Sequence, residues 1–488
     1  MADPGPPPSP NAPVMKNRPF VVLVASHWLS LVGVSLALAG LLCWLFLLPL
    51  QMRGHTENPY IGILAFVVLP LVFFLGLGLT PIGVFLARRR VRTRFQTEVV
   101  DRGAAYRRLG VVLGATTLVN AVVGMQLTYR AVEHMETTQF CASCHVMTPE
   151  FRSHENAPHA QITCVQCHVT PGVGGWVDSK MAGTRQLMEV LFDTHQRPIP
   201  SAMETNRLVP ANETCEQCHW RELPGSVRLR VISKFAEDEA NTPTQTVLTV
   251  LVGGGTRGGI HGSHMGPGVE IRYAAADAKR QVIPWIEYKD SGKGESRTYL
   301  AEKAKAEEVA ALPKYTMQCV DCHNRPTHAF DSPEGAVDKA LAGGRLPSSL
   351  PYIKKKSVEI LKASYASSEE AARKIPAALD DYYKQAHPEV HAERAADIQG
   401  AGLTVASLYA RNVFPDLKVT WGTYPNNIGH DAFPGCFRCH DEGHSTAQGK
   451  TITQDCAACH EAVAMDEASP EILKTLGVAD RLAALRKK

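Results

Sequence analysis

Three long apolar runs lie near the amino terminus of the chain. They cover residues 20–50, 60–86 and 109–129, and each is long enough to cross a lipid bilayer. The first run begins like a signal peptide, but it stays apolar beyond the cleavage-like Ala37-Leu-Ala39, which favours an uncleaved anchor. The pattern therefore predicts a three-helix transmembrane anchor over residues 20–130.

The distribution of arginine predicts the orientation of this anchor. The loop between the first two runs has only Arg53, whereas the loop between the second and third runs is strongly basic. Its eight arginines are Arg88, Arg89, Arg90, Arg92, Arg94, Arg102, Arg107 and Arg108. Because basic loops stay in the cytoplasm, residues 51–59 and everything after 130 are predicted to lie on the outer side of the membrane.

His27 lies within the first apolar run. A histidine at this depth can ligate a b-type haem, but such a haem needs a second histidine at similar depth. The second and third runs contain none. We therefore interpret His27 as a structural or boundary residue.

Beyond the anchor the apolar runs are short and their periodicity changes. Residues 247–252, 269–273 and 282–286 resemble short strands, and the stretch 253–268 between the first two is Gly-rich. Residues 353–411 predict two or three amphipathic helices, with Lys354-Lys-Lys356 as an exposed basic run. The tail after residue 461 is also predicted to be helical.

Twelve of the thirteen cysteines fall into six copies of one pattern, Cys-x-x-Cys-His, and only Cys43 is left over. The copies are Cys141/Cys144/His145, Cys164/Cys167/His168, Cys215/Cys218/His219, Cys319/Cys322/His323, Cys436/Cys439/His440 and Cys456/Cys459/His460. In this pattern two cysteines form thioethers to the haem vinyl groups and the histidine can ligate the iron. The sequence therefore predicts six covalently attached c-type haems.

Other uses of these cysteines fit the pattern less well. A redox Cys-x-x-Cys pair does not require a histidine directly after it, and here all six pairs have one. Zinc sites join two half-sites at short spacing. A disulfide framework would not impose the same two-residue gap each time.

The spacing of the motifs divides the chain. Three motifs crowd into residues 131–222, where so little chain cannot build an apolar core and the haems themselves must act as the core. The predicted divisions are a disordered Pro-rich stretch (1–19), the anchor (20–130), a first haem region (131–222), a partly β insert (223–318) and a C-terminal haem region (319–488). The predicted fold is mainly α with low regular secondary structure, a three-helix anchor and a small β-containing insert.

Charge and compartment narrow the function further. The formal net charge is only +3, so nothing suggests a nucleic-acid partner, and each attached haem would add two propionates. This kind of haem attachment occurs outside the bacterial cytoplasm. The motifs therefore put the region after residue 130 in the periplasm, as the arginines do independently.

Histidines outside the motifs are candidates for the second axial position of each iron. The best placed in sequence are His159, His328, His430 and His444, followed by His195, His261 and His264; His154, His387 and His391 are more remote candidates. An iron with two histidines is coordinatively full, which suits electron transfer and disfavours substrate binding. At the first motif Met147 can take the place of a histidine ligand, or it can be ordinary filler.

Five stretches of the first haem region resemble one family. They are Phe140-Cys-Ala-Ser-Cys-His-Val-Met147, Pro158-His-Ala160 with the second motif, Lys180-Met-Ala-Gly-Thr-Arg-Gln186, Arg197-Pro-Ile-Pro200 and Glu213-Thr-Cys-Glu-Gln-Cys-His-Trp220. The chain resembles the NapC/NirT membrane-anchored quinol dehydrogenases over these residues. The fourth motif, through His328, resembles the last haem motif of that family.

The resemblance implies roles for several residues. Met147 would be the axial ligand of the first haem, with His145 not necessarily bound, and His159 would be a distal ligand. Lys180 matches a lysine that contacts the quinol oxygen; an ordinary solvated lysine is the alternative. Gln186 stands where some members carry an acidic residue, which leaves the proton acceptor open to a carboxylate such as Asp178 or to water.

The chain also departs from the usual pattern of one span and four haems. It has three predicted spans, an insert before the fourth motif and two extra motifs, and in this it is similar to longer inner-membrane multihaem cytochromes of metal-respiring bacteria. The hypothesis is a multi-pass inner-membrane protein that oxidises menaquinol or ubiquinol at the periplasmic face. It would pass electrons to a periplasmic cytochrome or reductase. A haem wire or anchor subunit within a larger complex, or a terminal oxyanion reductase, remains an alternative.

Overall fold

The computed structural model describes residues 20–51, 69–94, 102–205, 207–219, 227–254 and 258–477. The chain divides into two compact units, residues 1–135 and 136–488. Three predictions lie outside the described residues: disorder over 1–19, the start of the second span over 60–68, and helix in the tail from 478.

Helices make up most of the regular structure. The α-helices are α1 Phe20–Ala25, α2 Trp28–Gln51, α3 Leu69–Arg94, α4 Arg102–Met135, α5 Thr138–Ala142, α6 Thr148–His154, α7 Cys164–His168, α8 Gly172–Leu191, α9 Gly259–Met265, α10 Ala306–Ala310, α11 Cys319–Cys322, α12 Pro333–Ala342, α13 Ile353–Lys362, α14 Ser368–Ala386, α15 Pro388–Glu393, α16 Ala395–Asn412 and α17 Glu471–Thr475. The 3₁₀ turns are His145–Met147, Ala211–Glu213, Cys215–Gln217, Pro415–Leu417, Gly435–Arg438 and Cys456–Ala458.

The strands form two antiparallel sheets. They are β1 Val227–Phe235, β2 Pro243–Leu251, β3 Val269–Ala274, β4 Trp285–Asp290, β5 Glu295–Ala301, β6 Lys314–Thr316, β7 His444–Ser445 and β8 His460–Glu467. One sheet has the order β1-β2-β8 and the other β6-β3-β4-β5-β7. The predicted mainly helical character and the presence of sheet are confirmed, whereas the described residues contain more regular secondary structure than predicted.

Two described helices of the first unit have the length and apolar composition of a membrane span, over Leu69–Arg89 and Gly103–Met135. The apolar part of α2 that is described, Trp28–Cys43, is shorter. Apolar helices suited to an anchor are therefore present, while the three-span arrangement stays a prediction.

Small residues bring α2 and α3 close together. A Cβ atom added at Gly76 would lie 2.4 Å from the backbone nitrogen of Ala37, and one at Gly83 would lie 2.4 Å from that of Ser30. Apolar helices in a membrane gain stability from this close backbone approach, since they have little hydrophobic driving force between them. His27 is buried beside this contact, and the Leu29 N–H donates to its Nδ1 over 3.1 Å. His27 thus serves at the start of α2, in keeping with a structural interpretation.

The insert provides both sheets, but neither is complete without the C-terminal region. Strands β2 and β3 match the predictions, whereas the third predicted strand begins only at Trp285, directly after Pro284, which cannot donate to a ladder. The first sheet is completed by β8, over residues 460–467, so the prediction of helix directly after residue 461 is wrong there. Segments on both sides of the helical region therefore fold together.

Helices α12 to α16 form a module with an apolar core and no cysteine motif. Its centre is built from fully buried side chains such as Val337, Leu361, Ile375, Leu379 and Val405. A buried polar contact joins this helical module to the first sheet. Lys354 forms an ion pair with Asp338, whose carboxylate also accepts the Phe235 N–H.

The basic run at the start of α13 is only partly exposed. Lys354 is 4% exposed, so the prediction that it lies on the surface is wrong, although Lys355 is exposed. The ion pair with Asp338 compensates for burying the Lys354 charge.

Replacing Leu379 by Ala should destabilise the helical module by about 2–5 kcal/mol, because the cavity it leaves is fully enclosed. Denaturant unfolding of the detergent-solubilised protein, followed by its helical circular dichroism, measures the change. Leu403 lies on α16 of the same module and is 60% exposed, so Leu403→Ala is the matched control, with a shift within about 0.5 kcal/mol. Equal losses in both variants would contradict the assigned core.

Candidate haem sites

Motifs two to five each form one tight helical turn, whereas the first motif is divided between two helical turns and the sixth leads from a 3₁₀ turn into β8. In three motifs the histidine N–H donates to the carbonyl of the first cysteine, at 2.8 Å for His219, 2.8 Å for His323 and 3.0 Å for His440. This i to i+4 bond brings the histidine one turn beyond the first cysteine, on the same side. The second motif is reinforced by a capping box between Thr163 and Gln166.

The motif cysteines differ in how far the protein shields them. Seven are half-buried, and the other five are exposed, namely Cys144, Cys167, Cys218, Cys436 and Cys456. Three of these exposed cysteines, Cys144, Cys167 and Cys218, lie in the first haem region, where the haems themselves are predicted to act as the core.

The cause of this exposure is local. Cys144 comes shortly after helix α5 and Cys218 directly after the turn Cys215–Gln217, and neither element contains a buried residue. The surrounding chain therefore supplies little apolar cover for the second cysteine of these motifs. Exposed sulfurs are accessible to a haem vinyl group, so their positions are compatible with attachment, and Cys144 and Cys218 stay predicted attachment residues.

Every motif histidine faces one histidine from outside the motifs. The ring centres are separated by 6.2 Å for His145–His195, 6.2 Å for His168–His328, 6.0 Å for His219–His159, 6.1 Å for His323–His261, 5.7 Å for His440–His264 and 6.2 Å for His460–His430. A histidine nitrogen binds a metal at about 2 Å, so two imidazoles on opposite sides of one iron have ring centres about 6 Å apart. The six pairs have the separation that bis-histidine ligation requires.

The polar atoms of these pairs also suit metal binding. Both ring nitrogens of His195 and Nδ1 of His460 are buried without a hydrogen-bond partner among the described residues. In other pairs Nδ1 already has a backbone carbonyl partner, at 2.7 Å for His264 with Ile260 and 2.8 Å for His440 with Thr453. Such a contact fixes the ring and leaves Nε2 for a metal. The side chains present therefore fit six c-type haems.

Polar contacts with Glu150 and, through it, with Arg325 hold the His328 ring in place. Its Nδ1 lies 3.0 Å from the Glu150 carbonyl and 3.1 Å from Glu150 Oε2, and Arg325 pairs with Oε1 of the same carboxylate at 3.3 Å. Burial lowers the pKa of His328 to about 4, and Glu150 opposes this only in part. The imidazole is therefore neutral at physiological pH, which is the form that binds a metal.

His444 was predicted as a ligand, but its surroundings do not suit that role. Its Nδ1 lies 2.7 Å from Asp441 Oδ1, and its Nε2 lies 2.7 Å from the Ile283 carbonyl, within a buried pocket. Both nitrogens are therefore engaged. The side chain joins the loop after the fifth motif to the insert, where β7 pairs with β5.

The more remote candidates lie outside the six pairs. His154 is buried with its Nδ1 2.6 Å from Thr327 Oγ1, and its ring centre is 6.1 Å from that of His328. His391 contacts Asp380 in the helical module, and His387 lies among tyrosines there. The ring geometry favours His328 as the partner of His168.

The first site offers two side chains beside His145. Met147 lies in the same 3₁₀ turn and is exposed, whereas His195 faces the His145 ring and is shielded from solvent. The sequence put Met147 ahead of His195 on the basis of the family resemblance. The ring contact favours His195 as the partner of His145.

Consecutive motifs are neighbours in space, as the cysteine sulfurs show. A hydrogen bond with Cys164 raises the pKa of Cys141, and one with Cys319 lowers the pKa of Cys215 to about 6. Burial raises the pKa of Cys322 to about 11, and nearby Cys436 adds to the rise. These contacts join motifs one to two, three to four and four to five.

The other two pairs of consecutive motifs are linked by electrostatic interactions between their cysteines. Burial raises the pKa of Cys167, and the nearby Cys215 adds to the rise. Burial also raises the pKa of Cys459, and the nearby Cys436 adds to it. These link motif two to three and motif five to six. The six motifs thus follow one another in space in the order of the sequence.

Lys180 lies on α8 close to the first motif. Its Nζ is 5.4 Å from the Trp176 ring centre, and its charge acts to lower the pKa of Cys141. Since each helical residue turns by about 100°, Asp178 is about 160° and Gln186 about 120° from Lys180 around the helix. Neither of these two predicted partners shares the face of Lys180.

An apolar stripe runs along the exposed side of α8. Its side chains are Val173, Val177, Met181, Met188 and Leu191, all of them exposed. Within this 20-residue helix no residue is buried. An amphipathic helix of this kind is suited to lie at a membrane surface, and Lys180 is at the border of the stripe.

Comparisons with known proteins point to one family. Residues 105–226 match the model described as NapC/NirT cytochrome c family, N-terminal region. The chain is 40% identical over 447 residues to the cytochrome c-type protein ImcH of Geobacter sulfurreducens, covering 89% of this chain and 87% of that protein.

Two further relatives align with a shorter part of the chain. The cytochrome c nitrite reductase subunit NrfH of Nitratidesulfovibrio vulgaris is 34% identical over 116 residues, which is 23% of this chain and 69% of that protein. The cytochrome c-type protein TorC of Escherichia coli is 27% identical over 128 residues, which is 23% of this chain and 31% of that protein. No solved structure matches the chain.

Replacing His261 by Ala should turn one low-spin haem into a high-spin haem, because one iron loses its second histidine. Electron paramagnetic resonance of the oxidised protein detects the change, and mass spectrometry checks that every haem stays attached. His444→Gln is the control and should keep all haems low-spin. A high-spin signal in His444→Gln with none in His261→Ala would reverse the assignment.

Proposed function

The chain belongs to the NapC/NirT family of cytochromes c, and on that premise we propose that it is a hexahaem quinol dehydrogenase. It oxidises a membrane quinol, either menaquinol or ubiquinol, at the periplasmic face of the inner membrane. Its acceptor is a periplasmic cytochrome or reductase. The observation that carries the proposal is that all six motif histidines face a second histidine at the separation of a bis-histidine site.

The residues that would hold the haems follow from this geometry. The twelve motif cysteines attach them, and the ligand pairs are His145/His195, His168/His328, His219/His159, His323/His261, His440/His264 and His460/His430. A c-type haem bound at each site supplies a one-electron iron couple. Two histidines per iron leave no open position, which favours a relay over reduction of an oxyanion.

Protein groups around the predicted haem sites favour metal binding and a transfer of electrons from site to site. Neutral, buried histidines such as His328 are ready to bind a metal without losing a proton. The Glu150 carboxylate holds the His328 ring and adds negative charge near the second site. The spatial order of the motifs supports entry of electrons at the first site and exit at the sixth.

The quinol end is proposed at α8. The exposed apolar stripe suits contact with lipid and with the apolar tail of a quinol. Lys180, at the border of the stripe, suits contact with the polar head of the quinol. Lys180 donates from its ammonium to a quinol oxygen and so orients the head beside the first site. Oxidation of one quinol releases two electrons, which leave one at a time, and two protons.

The protons need an acceptor on the outer side of the membrane. Asp178 and Gln186 were candidates, yet both point away from the face that carries Lys180. Water at the membrane surface is therefore the proposed acceptor. In this proposal the arginine-rich loop is cytoplasmic, the anchor has three spans, and the region after residue 130 is periplasmic.

Replacing Lys180 by Gln should slow quinol-driven haem reduction by about 10- to 100-fold, because the quinol head loses an orienting group. Stopped-flow absorbance with a menaquinol analogue measures the rate, and dithionite should still reduce all haems. Lys355→Gln alters an exposed lysine of the helical module and serves as the matched control.

The wild-type protein distinguishes the main alternatives. If dithionite reduces its haems and the quinol analogue does not, quinol oxidation belongs to another subunit and the chain is a haem wire. A haem that binds nitrite as an open, high-spin iron would favour a terminal reductase.

A further inference from the structure

Arg438 lies inside the fifth motif and contacts the fourth. Its Nη2 donates to the carbonyl of Asp321 over 2.7 Å, and Asp321 stands between Cys319 and Cys322. Its Nη1 donates to the carbonyl of Arg280 over 2.7 Å, and its Nε to that of Gly435 over 2.9 Å. One half-buried guanidinium therefore spans two motifs and the insert.

The carbonyl that Arg438 contacts is held firmly in place. Asp321 is buried, and its carboxylate accepts from Arg280 at 2.9 Å, from the Tyr273 hydroxyl and from the Gln318 N–H at 2.7 Å. The Arg280 guanidinium in turn stacks 3.8 Å from the Tyr315 ring centre. Because the ion pair and its hydrogen bonds satisfy the buried charge, motif four is fixed to the insert.

A second polar contact joins the same two segments. The buried Asn427, which precedes the fifth motif, donates from Nδ2 to the Asp321 carbonyl over 3.0 Å. Its own N–H donates to Oδ1 of Asn324, directly after the fourth motif, over 2.9 Å. Arg438 and Asn427 therefore approach the same carbonyl from one segment.

The short helix α9 contacts both of the same motifs. His261 faces the fourth motif and His264 faces the fifth, and the two lie one turn apart. Side chains at i and i+3 are neighbours on a helix surface. Motifs four and five are thus joined both by helix α9 and by the Arg438 contact.

We propose that Arg438 is a positioning residue that fixes the distance between the fourth and fifth haem sites. It makes the four-haem region and the added two-haem region one continuous relay. The proposal rests on the six-haem relay proposed above, but not on quinol as the electron source. A guanidinium suits the role because its planar fork reaches three carbonyls at once, whereas a lysine ammonium on a flexible stem does not hold that geometry.

The test compares Arg438→Lys with Arg373→Lys, an exposed arginine of the helical module. Asn427→Ala is a second variant at the junction, in case Arg438→Lys loses haem. Mass spectrometry counts the haems, and electron paramagnetic resonance of the oxidised protein reads magnetic coupling between neighbouring irons. Stopped-flow reduction is driven by dithionite and, separately, by the quinol analogue.

Arg438→Lys, with six haems attached, should weaken the coupling of one iron pair. Electron transfer between haems slows as their separation grows, so with the quinol analogue reduction should split into two phases, with four haems at the wild-type rate and two more slowly. Dithionite reaches every haem directly and should reduce all six. Arg373→Lys should match the wild type.

Unchanged coupling and a single reduction phase in Arg438→Lys would overturn the proposal, even if the melting temperature fell. If Arg438→Lys lacks haem, the same measurements on Asn427→Ala decide whether the proposal stands. Altered coupling in a protein that the quinol analogue does not reduce would keep the positioning role and reject quinol oxidation. The two proposals therefore fail separately.

Discussion

Paired imidazoles about 6 Å apart are the constraint on which the haem-bearing part of this protein depends. Each pair brings together a histidine fixed in a tight motif turn and a histidine from another part of the chain, such as His168 with His328. A haem iron bound between the two rings would act as a cross-link. Such a cross-link would suit residues 138–219, where the apolar clusters of the described residues are small.

The insert has a structural role that follows from the same constraint. Two of the six pairs take their second histidine from the short helix 259–265, which lies between the two small sheets in sequence. Each sheet also recruits a strand from the C-terminal region, β7 in one case and β8 in the other. The added motifs are thus integrated with the insert, while the helical module 333–412 packs its own apolar core and carries none of the motifs.

Electrostatics and apolar exposure distinguish two places along the row of motifs. At the first motif, a lysine borders an exposed apolar stripe on a helix with no buried residue, a combination suited to a lipid surface. At the junction of the fourth and fifth motifs, buried charges are satisfied within a dense polar network around Asp321. The family model, which matches residues 105–226, covers the first of these places and not the second.

The sequence by itself determined the features that depend on local spacing. The six motifs, the apolar runs, the amphipathic helices and the family resemblance can all be read from neighbouring residues, because haem attachment, membrane insertion and helix amphipathicity are short-range requirements. Only the tertiary structure decided which histidines meet. His444 and His430 look equally well placed beside the fifth motif, yet His444 has both nitrogens engaged and His430 faces His460. Lys354 is buried because it pairs with Asp338, and residues 460–467 form a strand because they pair with β2. Both partners are distant in sequence, so a local pattern cannot predict them.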